Sequence, residues 1–219
     1  MDRRAFLTGI AAAGLATQPA HAASIFAGTS LANNRIAVRF QPLPDGAFAP
    51  DVLLQGGDGE HRFSELTGKV HLVALWAEWC APCLIEAGDL AVLQQTFGGP
   101  NFAIQSILTA SQKKLDLKGA RKTLRKTHGD TLPLWIEADG KDFLAANLSK
   151  TASSPYSLPC VLLVDRHGKI RGRMIGLGFI ADNVDPTDHK QIMSLGGQTE
   201  WSTPEAYDFI KALIGGALD

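Results

Sequence analysis

The chain is poor in cysteine, with three in 219 residues, at positions 80, 83 and 160. There is no second C-x-x-C pair, and the six histidines show no paired ligand spacing, so a structural zinc module would lack its ligands. Positive charge is not in excess either. Lys and Arg total 21 against 22 Asp and Glu, a formal net charge of −1. No basic run alternates with aromatics as nucleic-acid surfaces require, so nucleic acid is not an expected partner. The most basic stretch, Lys113, Lys114, Lys118, Arg121, Lys122, Arg125 and Lys126, is interleaved with Leu115, Leu117, Ala120 and Leu124. That spacing reads as the solvated face of a helix in preference to an anion site. Internal repeats and low-complexity tracts are missing. What remains, 45% hydrophobic and 20% charged, suits one globular domain with a full core.

The first residues carry an address. Arg3 and Arg4 precede an apolar stretch from Ile10 to Ala16, and Ala20-His21-Ala22 offers small residues at cleavage positions. Residues 1–22 are therefore expected to be a secretory signal. The string Asp2 to Leu7 is similar to a twin-arginine export signal, which implies passage into the periplasm in a folded state. Uncleaved, the apolar stretch is an alternative membrane anchor, although short for a span of about 20 residues. Residues 23–47, mixed and polar with Pro42 and Pro44, read as a loosely held arm, and residues 48–219 as the folded domain.

Within that domain, Val52–Leu54 and Arg62-Phe63 flank the turn-rich Gly56-Gly57-Asp58-Gly59, which predicts a hairpin. A strand over Val70–Trp76, a helix over Ala81–Thr96 and a strand over Phe102–Leu108 follow. Then come a helix over Lys113–Lys126, a strand over Leu134–Glu137 and a helix over Lys141–Leu148. Val161–Asp165 and Lys169–Ile175 bracket Arg166-His167-Gly168 as a closing hairpin. The pattern Ser202-Thr203-Pro204-Glu205 predicts a capping box opening a last helix to about Leu213. Strands alternating with helices, then a hairpin and a terminal helix, predict an α/β fold with a mixed central sheet covered on both faces.

The informative string is Trp76-Ala77-Glu78-Trp79-Cys80-Ala81-Pro82-Cys83. It places two thiols three residues apart after an apolar run, at a strand-to-helix junction. Across the first helical turn the sulfurs come within bonding reach, and unpaired N–H groups with the positive dipole end stabilise a thiolate. A bare C-x-x-C equally fits half of a zinc site or a structural disulfide.

In context, the octapeptide closely resembles the thioredoxin active-site string, differing at one inner residue. Further strings resemble the exported TlpA/ResA-like thiol-disulfide oxidoreductases: Ala49-Pro50-Asp51, Phe63 to Val70, Leu132-Pro133-Leu134, and Val164 to Ile170. The resemblance spans about residues 48 to 213. It implies a thioredoxin fold with an N-terminal hairpin extension and a redox-active Cys80–Cys83 disulfide. Cys80, at the helix start, is the expected nucleophile, and Cys83 is placed to resolve the mixed disulfide. Trp79, Pro82, Leu158 and Pro159 are expected to contact the client, with Pro159 as a cis-proline facing the dithiol. Trp76 and Trp79 also fit plain core packing.

Glu86 falls on the helical side of both cysteines and matches the family's C-x-x-C-x-x-E position, where a carboxylate would tune the thiols or shuttle a proton. A solvated helix residue is the alternative. Ala74 stands where cytosolic thioredoxins carry a buried Asp, and Gly88 where the family places a kink-forming proline. Cys160 reads as a small core residue, with a redox or metal role as the alternative. Residues 179–198 look like an insertion, either a plain surface loop or a partner dock.

The resulting expectation is a monomeric periplasmic protein-disulfide reductase without a cofactor. It would act on disulfide-containing exported proteins, with cytochrome c maturation as the family-implied pathway and a membrane dithiol donor to recycle it. The rivals are a metal-handling protein using Cys80, Cys83 and Cys160, a peroxidase of the peroxiredoxin class, and a binding module whose disulfide is structural.

Overall fold

Val70–Trp76 is buried at all seven positions, which is what a run apolar at every position but His71 dictates for a strand covered on both faces. It is the hub of the sheet. The computed structural model describes residues 25–43, 51–137, 157–178 and 199–219. The expected signal peptide (1–22), the helix over Lys141–Leu148 and the insertion at 179–198 lie outside the described residues.

Among the described residues the strands are β1 (Gln41–Pro42), β2 (Leu53–Gly56), β3 (Gly59–Arg62), β4 (Val70–Trp76), β5 (Phe102–Leu108), β6 (Leu134–Glu137), β7 (Cys160–Val164) and β8 (Ile170–Ile175). They form one mixed sheet of order β1-β8-β7-β4-β5-β6-β2-β3. β4, β5 and β6 run parallel; the other pairings are antiparallel. The hairpin expected around Gly56–Gly59 is β2–β3. The helices are α1 (Ala81–Phe97), α2 (Leu117–Leu124) and α3 (Pro204–Ile214).

Period-two alternation divides the strands between two cores. Leu72, Ala74 and Trp76 of β4, with Val161 and Leu163 of β7, face the cluster that contains α1, α3, Cys80 and Cys83. Val73 and Leu75, with Cys160, Leu162 and Val164, face a second cluster closed by Val52, Leu54, Phe63 and Leu66.

Three expectations need correction. Residues 25–43 are not loosely held. Phe26, Leu31, Ile36, Ala37 and Phe40 are buried in the main core, Phe26 and Phe40 both contact the Phe209 ring, and β1 pairs with β8. α2 begins at Leu117, not Lys113, because the Asp116 carboxylate accepts the Gly119 N–H at 2.7 Å and fixes the start there. No capping box opens α3: Ser202 Oγ and Thr203 Oγ1 donate instead to the carbonyls of Thr199 and Glu200, tying the preceding 3₁₀ turn Glu200–Ser202. At Gly88 the reason for glycine is packing. A Cβ there would collide with the Thr127 carbonyl oxygen, so the turn after α2 sits directly on α1.

Candidate active site

β4 delivers the chain to the sheet's C-terminal edge, and α1 turns back from it at once. Cys80 is the N-cap residue, in extended conformation, and the Cys83 N–H donates to its Sγ at 3.4 Å. Pro82 occupies the first turn, where its missing N–H leaves no bond unmade. The two sulfurs are joined in a disulfide. Both cysteines are largely covered, Cys80 at 4% exposure and Cys83 at 1%, so access is through Cys80.

Two motif residues fix the surroundings. Trp79 stands 48% exposed beside the disulfide, yet its indole N–H donates to the Ala110 carbonyl at 2.8 Å. Glu78 Oε1 accepts the Lys113 backbone N–H at 2.6 Å. Together they pin the loop between β5 and α2, whose Ala110 and Lys114 adopt left-handed φ of 51° and 47°. Trp76 is buried, as core packing requires.

On the other side, Leu75 pairs with Cys160 in the β4–β7 register, which sets Pro159 beside Trp76. The Leu158–Pro159 peptide is cis, and Leu158 packs against the cluster that holds both motif cysteines. Cys160 itself points the other way, into the second cluster. Burial pushes its thiol up to about 12, with Glu86 adding to the rise and Arg173 opposing it. The sheet thus separates Cys160 from Cys80 and Cys83, which removes the three-cysteine metal site. Among the described residues no group of three His, Cys, Asp or Glu side chains is arranged to hold a metal ion.

Glu86 is not a solvated residue. It is buried, and burial raises its carboxyl to about 8; the Trp201 indole and Arg39 oppose that rise, and Asp89 adds to it. Its Oε2 has no hydrogen-bond partner, the state expected of a carboxyl kept neutral by its surroundings. Trp201 Nε1 likewise stops short of a full hydrogen bond. Asp89, one turn on, accepts the Thr199 N–H and hydroxyl at 2.7 and 2.8 Å, which docks the Glu200–Ser202 turn on α1. Arg39, Asp89, Glu200 and Trp201 went unread in the sequence. The apolar residues around Arg39, namely Phe26, Leu31, Ile36 and Phe40, follow no period of 2 or 3.6 and so gave no signal for it.

A disulfide capping the helix that follows the central strand, with a proline turn alongside, defines a thiol–disulfide protein of the thioredoxin superfamily. Residues 46–173, more than half of the chain, match the family model described as AhpC/TSA family, and the chain belongs to that family. It is similar to the thiol-disulfide oxidoreductase ResA of Geobacillus thermodenitrificans, 25% identical over 132 residues, covering 60% of this chain and 69% of the relative. ResA of Bacillus subtilis is 23% identical over 138 residues, covering 63% and 70%. Among solved structures, a thiol:disulfide interchange protein of the thioredoxin family from Chlorobium tepidum TLS aligns with a TM-score of 0.46 at 21% identity, covering 72% of this chain and 98% of that one.

Proposed function

We propose that this chain is an exported thiol-disulfide oxidoreductase that passes electrons to disulfides in other exported proteins. The observation that carries the reading is the Cys80–Cys83 disulfide at the start of α1, where the Cys83 N–H already points at Cys80 Sγ. In the reduced form that donor, the free N–H groups of the first turn and the helix dipole favour a thiolate on Cys80. The Cys80 thiolate attacks one sulfur of a client disulfide; the S–S bond breaks, one client thiolate leaves, and a mixed disulfide forms. Cys83, deprotonated, then attacks Cys80 Sγ, releasing the second client thiol and restoring the intramolecular disulfide. Two electrons and two protons reach the client. Trp79 and the Leu158–Pro159 turn flank the nucleophile on opposite sides and are suited to grip an extended client strand. Glu86, buried below the dithiol on the same helix and held neutral by that burial, takes up the proton that leaves Cys83 only from its ionised form, which becomes populated as pH rises towards about 8.

Direction follows from Ala81 and Pro82, which lack the histidine that favours the reduced form in oxidising relatives. The couple therefore belongs near the reducing end of a range of about −270 to −120 mV. Equilibration with glutathione and titration of free thiol measures it, and an insulin-reduction assay measures turnover. A potential at the oxidising end would reverse the direction. Residues 1–22 support export: changing Arg3 and Arg4 to Lys should leave precursor in the cytoplasm if the route is the twin-arginine one. Cytochrome c maturation is the client pathway to test first, and a thiol trap identifies the membrane dithiol donor. No helix among the described residues is long and apolar enough to cross a membrane.

A further inference from the structure

One partly buried polar knot lies behind the site and belongs to none of the roles above. Arg39, in the 3₁₀ turn Ala37–Arg39 that precedes β1, forms an ion pair with Glu200 and sends its other terminal nitrogen, Nη2, to two carbonyls, Ile175 at 3.3 Å and Gly176 at 2.9 Å. Those carbonyls end β8. Gly176, at φ 79°, turns its own N–H to the Pro159 carbonyl at 2.9 Å. Glu200 ties the next stretch from both directions: its Oε1 accepts the Gly178 N–H at 3.1 Å, and its N–H donates to the Gly178 carbonyl at 3.1 Å. Gly178 has no side chain because one would collide with this ion pair. Glu200 adjoins Thr199, whose two bonds to Asp89 reach the helix that carries the dithiol.

A single guanidinium therefore stands one relay, Gly176, from the Pro159 carbonyl, and its ion-pair partner stands one relay, Thr199, from α1. On its outer side the knot lines a cleft of about 200 Å³, whose wall includes Arg35, Ile36, Thr203 and Glu205 beside Arg39 and Glu200. A mere anchor for residues 25–43 would not need two donors on the strand exit, since Phe26, Ile36 and Phe40 already bury that segment. Lysine would not substitute: one ammonium cannot present a planar fork to a carboxylate and two carbonyls at once.

We infer that Arg39 is a positioning residue for disulfide exchange, holding the Leu158–Pro159 turn at the height where a client strand meets the Cys80–Cys83 disulfide. The inference rests on the exchange reading above. Loss of Arg39 frees the Ile175 and Gly176 carbonyls, lets Gly176 shift, and loosens the Pro159 turn. A client that pairs with the turn then binds less well. Because Arg39 also acts on the Glu86 carboxyl, the comparison is made at about pH 6, where Glu86 is neutral with or without Arg39 and the chemistry at Cys80 is otherwise untouched.

The test compares two disulfides. Wild type, Arg39→Met, Arg39→Lys and Arg35→Met are reduced and mixed with insulin, which offers extended chain, and with glutathione disulfide, which offers almost none. Arg35 lines the same cleft but is exposed and makes no bond to the strand exit, so it reports on charge alone. The expected result is a rise in KM for insulin of roughly fivefold to tenfold in Arg39→Met, the scale of one or two charge-assisted hydrogen bonds partly transmitted. With it come an unchanged kcat, an unchanged rate with glutathione disulfide, an intermediate KM in Arg39→Lys, and wild-type behaviour in Arg35→Met. An Arg39→Met variant that slows both disulfides equally, or neither, overturns the inference, as does an equal KM rise in Arg35→Met. If Arg39→Met does not fold, Arg39→Lys decides alone, and a wild-type KM for insulin in that variant overturns it. A wild type inactive on both disulfides removes the exchange reading, and the inference with it; an active wild type with no KM change removes the inference only.

Discussion

The two faces of the central sheet carry the same residue types to opposite ends. On one face Cys80 and Cys83 sit at a helix start with an N–H aimed at sulfur, and a buried carboxyl, Glu86, lies one turn below. On the other, Cys160 is sealed among Leu75, Leu162 and Val164, its thiol held up to about 12. His71, on the same side of β4 as Val73 and Leu75, has neither ring nitrogen in a full hydrogen bond and is held down to about 4, mainly by burial and further by Lys69, with the nearby Thr67 backbone opposing. The face proposed to react aims a backbone donor at its sulfur; on the packing face burial outweighs Arg173, the charge that opposes the rise at Cys160. Reactivity here is a property of the helix terminus, not of cysteine.

The largest expected effects test that contrast at the cysteines. Cys80→Ser should reduce insulin turnover to the background rate, and Cys83→Ser should accumulate mixed disulfides through Cys80, read by mass spectrometry. Equal trapping by both variants would break the assignment of roles. Next comes Glu86. Its carboxyl rises from 4.5 unfolded to about 8 folded, so the neutral form is the one the fold prefers. Stability from this group is full below 4.5 and is lost as pH climbs through about 8, a loss on the order of a few kcal/mol. Glu86→Gln should abolish that decline in denaturant titrations run across the range. His71 gives the opposite slope. Its pKa falls from 6.5 to about 4 on folding, so stability is present above 6.5 and lost as pH drops towards 4; His71→Phe should remove the acid-side loss. Cys160→Ser should cost about 1–3 kcal/mol by burying a hydroxyl without a partner, with exchange activity intact and no alkylation of native Cys160. The smallest effect is at Trp79, where Ala should raise KM for a protein disulfide by a few fold through lost contact area.

Much of the site was legible because its signals are local. A run apolar but for His71, two cysteines at helical spacing and Pro82 in the first turn specify β4 and the start of α1 between residues 70 and 83. The two glycine-bounded hairpins are equally local. The rest depends on contacts distant in sequence. Helical spacing put Glu86 on the side of the cysteines, but whether that side meets water is decided by Trp201 and Arg39, over a hundred residues away in one case and near the chain start in the other. Residues 25–43 show no period of 2 or 3.6. They look like an arm until Phe209 supplies the surface that buries Phe26 and Phe40. The start of α2 was misread because its polar preface, Lys113 to Asp116, has the composition of a helix face, and a single cap at Asp116 overrides it.

The clasp between residues 25–43 and α3 also governs the order of events during synthesis. Asn34 donates to the Glu205 carbonyl across 171 positions of sequence, and Phe209 sits between two rings that leave the ribosome long before it. Closing so long a loop is slow relative to forming β4 and α1. The early segment therefore waits, apolar face uncovered, until α3 emerges, and the polar knot around Arg39 and Glu200 closes last. A newly made chain holds its two motif cysteines well before it holds Arg39 against the strand exit, so the dithiol can exist chemically before the docking edge beside it has taken shape.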